Sequence, residues 1–174
     1  MTAPLVGFTG SRSLSPAAAP LVAGVVGSVV AGGRGVAVGC AAGADALVRA
    51  AAPGARVWSV SAFSDLPRPA ALAQRSVAMV HAVAASGPGA GLVAFPAAPC
   101  PAGLVPARSW RACGSGTWSS AALAAGLGLP VVVFPAGWPW APPAWPGGSW
   151  QPAAAGGVWA QGWRWVPAAQ LSLL

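Results

Sequence analysis

Five short apolar runs, separated by longer alanine-rich segments, constrain the fold of this chain more than any other feature. The runs cover residues 5–8, 36–39, 56–60, 91–95 and 130–134. Runs such as 92–95 and 131–134 lack alternation of polar and apolar residues, which is typical of parallel strands covered on both faces. The segments 16–31, 44–52, 69–85 and 117–126 between these runs are predicted helices, bounded by Gly or Pro. This order predicts a Rossmann-like, doubly wound α/β fold with a mainly parallel sheet of about five strands.

The composition changes after residue 136. Seven of the ten Trp lie between Trp138 and Trp165, among Pro and Gly. We therefore predict a domain of residues 1–136 and an irregular, Trp-rich extension of residues 137–174. A short hairpin around 158–166 is expected in the extension, with its turn at Gln161 and Gly162. The indoles either stack on bases or a partner, or cover an apolar edge of the domain and mediate self-association. We expect a homo-oligomer.

The charge balance points either to an anionic partner or to a mutational bias toward Arg, Ala, Gly and Pro. The chain carries nine Arg, no Lys and only two acidic residues, which gives a formal net charge of +7. The Arg residues are dispersed, without the cluster that is typical of a duplex-DNA face. Frequent Gly and Pro interrupt the runs that a membrane span would need, and we expect no signal peptide from the first residues. Three Cys and one His suggest neither a disulfide framework nor a metal site, so a cytoplasmic location is expected.

Glycine-rich segments follow the predicted strands. Gly10, Ser11 and Arg12 follow the first strand, and a segment from Gly39 through Gly43 to Asp45 follows the second. A third segment, Gly114-Ser115-Gly116-Thr117, opens the last predicted helix. Such loops direct backbone N–H groups toward an anion, and the N-terminus of a helix adds partial positive charge. We expect the three segments to converge at one edge of a parallel sheet, where ligands bind in this architecture.

These motifs carry a family resemblance. Neither the GxGxxG nor the GxxxxGK[ST] pattern is present. The chain instead resembles the SLOG superfamily, and within it the YspA and cpYpsA-related branch. The matching motifs are Gly10-Ser11-Arg12, Gly39 to Asp45, Arg75-Ser76-Val77-Ala78-Met79, Val93-Ala94-Phe95 and Gly114 to Thr117, in that order over about residues 5–134. The resemblance implies a Rossmann-like sheet with a ligand pocket at these loops. Related members are the LOG phosphoribohydrolases and the DprA proteins, which bind single-stranded DNA.

Two positions depart from the family patterns. The LOG pattern has a Glu three residues after its Thr, where this chain has Ser120, and Ser76 stands where the related branch has Asn. Cleavage of a glycosidic bond usually requires a pair of carboxyl groups, and the chain has only Asp45 and Asp65. We therefore predict no catalytic residue. Enzymatic activity stays open, and a binding role is favoured.

Three further side chains are candidates for the ligand site. Arg75 either makes a bidentate contact with phosphate or extends into solvent from its helix. Asp45 either contacts a ribose or complements the helix dipole. Trp118 is expected to face a ligand ring. The sequence thus predicts binding of a nucleotide or an ADP-ribose-like ligand, with no required cofactor. Single-stranded nucleic acid, as in DprA proteins, and LOG-like hydrolysis of nucleoside monophosphates are the alternatives.

Overall fold

The computed structural model describes residues 2–168, which form a seven-stranded mixed sheet with helices on both faces. The strands are β1 (Leu5–Gly10), β2 (Gly35–Gly39), β3 (Arg56–Trp58), β4 (Gly91–Phe95), β5 (Val131–Val133), β6 (Gly148–Pro152) and β7 (Trp163–Pro167). The α-helices are α1 (Ala19–Ala31), α2 (Ala44–Ala51), α3 (Arg68–Ala84) and α4 (Gly116–Gly126). Short 3₁₀ helices cover Pro16–Ala18, Val60–Phe63 and Val158–Gln161. The predicted α/β class, with a mainly parallel sheet core, is confirmed.

The strand order is β3-β2-β1-β4-β5-β7-β6. Strands β1 to β5 are parallel to one another, as the uninterrupted apolar runs predict. After β3 the chain returns to the other side of β1 and continues as β4. Strands β1 and β4 therefore form a topological switch point, with the loops that follow them diverging to leave a crevice.

Alternate residues of the buried strands enter two separate cores. On one face, Val36 and Val38 pack with the valines of α1 and with α2. On the other face, Ala37 packs with apolar residues of α3 and α4. This alternation places α1 and α2 on one side of the sheet and α3 and α4 on the other, which is the doubly wound layout.

The expected count of about five strands is not confirmed for the whole chain, because the Trp-rich extension adds two. Strand β7 pairs antiparallel with β5, and β6 pairs antiparallel with β7. The extension is therefore not irregular throughout, and the predicted hairpin is misplaced, because 158–161 is a 3₁₀ helix. Buried Trp165 and exposed Arg164 show the alternation of a strand with one covered face. Residues 169–174 of the predicted extension lie outside the described residues.

None of the helices within residues 2–168 combines the length and the apolar character that crossing a lipid bilayer requires.

Candidate functional site

A cleft of about 930 Å³ opens at the carboxyl ends of β1 and β4, above the topological switch point. One wall is the loop after β1, and a second is the first half of α3, including Pro69 and Leu72. The long segment between β4 and α4 and the first turn of α4 complete the lining. The volume lies near the upper end of the range of small-molecule sites, about 300–1,000 Å³.

Most of the predicted site residues come together in this cleft. Ten of them line it: Gly10, Ser11, Arg12, Asp45, Arg75, Gly114, Ser115, Gly116, Thr117 and Trp118. Gly39 and Gly43 are not part of the lining. Gly114 does not end a strand, as Gly10 and Gly39 do, but lies at the far end of the segment between β4 and α4.

Gly39 and Gly43 serve close packing behind the cleft. A Cβ atom on Gly39 would lie 2.5 Å from Asp45 Oδ2 and 2.8 Å from Arg75 Cζ. Gly43 has φ +68°, and a Cβ atom there would clash with the carbonyl oxygen of Ser11. Ala44 N–H donates to the same oxygen at 3.0 Å, which joins the start of α2 to the loop after β1. The missing side chains of these two glycines therefore allow the elements behind the cleft to pack closely.

The first turn of α4 presents free donors to the cleft. Ser115 is the N-cap, and its hydroxyl accepts a hydrogen bond from Trp118 N–H at 3.3 Å. The N–H groups of Gly116 and Thr117 have no acceptor within the helix. A Cβ atom on Gly116 would meet nothing within 4 Å, so the cleft is open at this point. The positive end of the helix dipole adds to the attraction for an anion.

Arg12 supplies an exposed positive charge to the same cleft. Arg12 is exposed on the loop after β1 and lines the cleft. Within residues 2–168, no carboxylate lies within ion-pair distance of its guanidinium. Its charge is thus available to a ligand.

Arg75 and Asp45 form a buried ion pair at the back of the cleft. The distance from Arg75 Nη1 to Asp45 Oδ2 is 3.7 Å, and the side chains are 12% and 5% exposed. Asp45 Oδ2 also accepts a hydrogen bond from Ala41 N–H at 3.1 Å. Burial raises the pKa of Asp45 above its usual range, and the opposing effects of Arg75 and the Ala41 N–H do not offset it. Arg75 is therefore not the solvated side chain that one of the sequence interpretations described.

Arg49 is a structural residue that the sequence reasoning missed. Its guanidinium donates to the Gly39 carbonyl at 2.7 Å and to the Ala41 carbonyl at 3.0 Å. These bonds hold the loop that follows β2. The available signal was the spacing from Asp45, since residues four apart lie on the same side of a helix.

Cys40 lies next to the ion pair. Burial raises the pKa of its thiol, but a hydrogen bond from Val60 N–H and the proximity of Arg75 outweigh this effect and lower the pKa overall. The Cys40 Sγ is 3.2 Å from Val60 N and 3.6 Å from Arg75 Nη1. The guanidinium of Arg75 thus contacts a carboxylate, a thiol and the hydroxyl of Ser76.

Trp118, which was expected to face a ligand ring, lines the cleft but has its indole turned into the core. It is 1% exposed, and its Nε1–H donates to the Ala98 carbonyl at 2.9 Å. Trp138 of the extension donates in the same way to the Pro96 carbonyl at 2.9 Å. Trp118 is buried in the core on the α4 side of the sheet and Trp138 packs against that core, so both indoles anchor the segment after β4.

Trp110 is the aromatic residue of the cleft wall that the sequence reasoning overlooked. It is half-buried and lines the cleft. The sequence signal was its position between Arg108 and Arg111, because aromatic residues interleaved with cations are typical of sites for bases and phosphates.

Ser120, the position that corresponds to the LOG Glu, is turned away from the cleft. It is 0% exposed, and its hydroxyl donates to the Gly116 carbonyl at 2.8 Å. Over residues 2–168, no three His, Cys, Asp or Glu side chains are grouped as they would be to hold a metal ion. The cleft brings together hydrogen-bond donors and positive charges that can bind an anion. One of its walls carries the aromatic ring of Trp110.

Comparison of the chain with protein-family models, with curated proteins and with solved structures finds no match.

Proposed function

We propose that this protein binds a nucleotide or nucleotide-derived ligand in the cleft above the switch point. The observation that carries the proposal is the meeting of two anion-binding elements in one cleft. These elements are the free N–H groups of Gly116 and Thr117 and the exposed guanidinium of Arg12. The phosphate would occupy the space between them.

The size and charge of the protein support this ligand class. A cleft of about 930 Å³ accommodates a ligand larger than a bare phosphate or a pentose phosphate. The formal net charge of +7 attracts anions at long range and raises their local concentration. Both properties fit a nucleotide or an ADP-ribose-like molecule.

Membership of the SLOG superfamily is part of the proposal. What supports it is the position of the motifs on the fold. Gly10-Ser11-Arg12 begins at the last residue of β1, the segment Gly39 to Asp45 begins at the last residue of β2, and Gly114 to Thr117 leads into α4. The doubly wound arrangement is compatible with the Rossmann-like sheet that the resemblance implies.

Binding without catalysis is the role that we favour. Asp45 is buried in its ion pair and Asp65 is exposed, so neither is arranged with a second carboxyl group at the cleft. Ser120 donates its hydroxyl to a backbone carbonyl inside the core. A carboxyl pair for glycoside hydrolysis is therefore missing from the described residues.

Native mass spectrometry of freshly purified protein, followed by calorimetry, tests the proposal. We expect a co-purifying nucleotide, or binding of AMP or ADP-ribose at a 1:1 ratio that inorganic phosphate weakens by competition. The same spectrum measures the oligomeric state, for which a homo-oligomer is predicted. A preference for a deoxythymidine oligonucleotide, with affinity that falls steeply with salt, would favour the alternative of strand binding. Absence of binding to all of these probes would contradict the proposal.

A further inference from the structure

Trp110 differs from the other tryptophans in what it contacts. Eight of them pack against another aromatic ring: Trp118, Trp138, Trp140, Trp145, Trp150, Trp159, Trp163 and Trp165. Trp58 lies under the guanidinium of Arg56, at 5.2 Å from its ring centroid. Within the described chain, Trp110 has neither an aromatic partner nor a cation over its ring. It is nevertheless part of the cleft lining.

The backbone on both sides of Trp110 is fixed to α4. Ala107 N–H donates to the Ala122 carbonyl at 3.2 Å, and the missing side chain of Gly126 lets the Ala107 backbone approach the helix. On the other side, Ser119 Oγ–H donates to the Arg111 carbonyl at 2.6 Å. The backbone of Trp110 therefore lies between two anchored points, which restricts where the indole can be placed in the wall. A preorganised aromatic wall reduces the entropy cost of binding.

We infer that Trp110 is the surface on which an aromatic ring of the ligand stacks, so that the ligand is a nucleotide carrying its base rather than a sugar phosphate. This inference rests on the proposed function, because it assigns the base end of the same ligand whose phosphate is held at α4. Arg108 and Arg111, close to Trp110 in the chain, are exposed but are not part of the cleft lining, so the stacking role depends on the ring itself. A base between an indole and the apolar side of α3 would exchange water for flat apolar contact.

Two substitutions distinguish stacking of a ligand ring on Trp110 from packing of Trp110 against the core. Trp110→Leu keeps an apolar side chain against the core but removes the ring, and Trp110→Phe keeps a smaller ring. Calorimetry with AMP and with ribose 5-phosphate measures what the base contributes. In the wild-type protein we expect AMP to bind about ten- to a hundredfold more tightly than ribose 5-phosphate, as is typical of base stacking on aromatic side chains.

The inference predicts that Trp110→Leu removes most of this advantage of AMP and leaves the affinity for ribose 5-phosphate unchanged. Trp110→Phe should retain most of the advantage of AMP over ribose 5-phosphate, because it keeps an aromatic ring. Trp58→Leu, which changes a tryptophan outside the cleft lining, should retain the wild-type ratio. Denaturation curves of each variant confirm that it is folded.

The outcomes distinguish this inference from the proposed function. An equal loss of affinity for both probes in Trp110→Leu, or no loss for either, would overturn the role of Trp110 and leave the phosphate site standing. Binding of ribose 5-phosphate without any gain for AMP would do the same. Failure of both probes to bind the wild-type protein would contradict the phosphate site and the stacking role together.

Discussion

The guanidinium of Arg75 lies 3.7 Å from the carboxylate of Asp45, and both side chains are almost completely buried. An attraction at this distance does not outweigh the loss of hydration, since burial raises the pKa of Asp45 despite its partner. The ionised carboxylate therefore costs stability at neutral pH. Gly39 makes the arrangement sterically feasible, because any side chain there would collide with both charged groups.

The stability of the folded protein should depend on the protonation of Asp45. Because its pKa is raised in the folded state, that state binds the proton more tightly than the unfolded chain does. The contribution of Asp45 to the free energy of unfolding should therefore increase as the pH falls from neutral through the raised pKa toward the ordinary value. Urea denaturation of wild type and Asp45→Asn at several pH values measures this contribution as the difference between the two curves.

The control for this prediction is Asp65→Asn, which removes the other carboxyl group at an exposed position. That variant should keep the wild-type dependence on pH. If the difference between wild type and Asp45→Asn does not change between neutral and mildly acidic pH, the raised pKa of Asp45 is refuted.

Much of the α/β core could be predicted because each element carries a local signal. Strands β1 to β5 are apolar runs covered on both faces, and Gly or Pro marks most of their ends. The predicted bounds differ from those in the structure by no more than three residues. Strand β6 was missed because Gly148 and Pro152 weaken any strand pattern. The alternation in Trp163-Arg164-Trp165 was a usable signal for β7.

The lining of the candidate site was predictable where a residue ends a strand, closely follows one or opens a helix, as Gly10, Arg12 and Gly116 do. The other contacts at the candidate site depend on packing between elements that are distant in the sequence. Nothing local indicates that the Trp118 indole turns into the core to hold the Ala98 carbonyl. The approach of Arg75 to Asp45 likewise depends on the packing of α3 against the sheet, which only the folded chain defines.

Arg12 should contribute to ligand affinity without contributing to stability, because it is exposed and lacks a carboxylate partner within residues 2–168. Loss of a charge-assisted hydrogen bond to phosphate should weaken AMP binding about ten- to a hundredfold in Arg12→Ala. Calorimetry gives the affinity, and urea denaturation gives the stability. Arg34→Ala removes an equal charge at the opposite end of the strands and should leave the affinity nearly unchanged.

Arg75→Met should behave differently from Arg12→Ala. It leaves Asp45 buried without its ion-pair partner, so we expect the free energy of unfolding at pH 7 to fall by roughly 1–3 kcal/mol. Thermal or urea denaturation measures the loss. A variant as stable as wild type would mean that the pair at 3.7 Å contributes nothing to the folded state.

Gly43→Ala should weaken the junction between α2 and the loop after β1. Its φ of +68° strains any other residue, and the new Cβ atom would clash with the Ser11 carbonyl. We expect a loss of stability of roughly 1–3 kcal/mol from the backbone strain, and a further loss from the clash. Gly33→Ala serves as the comparison, because Gly33 also has a positive φ, +73°, with open space around it. A loss in Gly43→Ala no larger than that in Gly33→Ala would contradict the expected clash with Ser11.

Purified protein should release no base from nucleoside monophosphates, because the position of the LOG Glu is a buried serine. Chromatography of AMP incubated with the protein measures free adenine. Ser120→Glu should not introduce the activity, since its carboxyl group would enter the core beneath Gly116 and destabilise the helix. Steady turnover by the wild-type protein would refute a purely binding role.

Gly116 should affect binding because its missing side chain leaves the cleft open, and not because its backbone conformation requires glycine. A Cβ atom there would meet nothing within 4 Å, so Gly116→Val should fold with nearly wild-type stability while its side chain fills the cleft beside the free N–H groups. By blocking hydrogen bonds to a charged group it should weaken binding of AMP and of inorganic phosphate about tenfold or more. Gly27→Val is the control, because Gly27 lies on α1, outside the cleft lining, and also has open space at its Cβ position. Calorimetry on both variants decides the matter. If Gly116→Val binds phosphate as tightly as Gly27→Val does, the anion is held away from the first turn of α4.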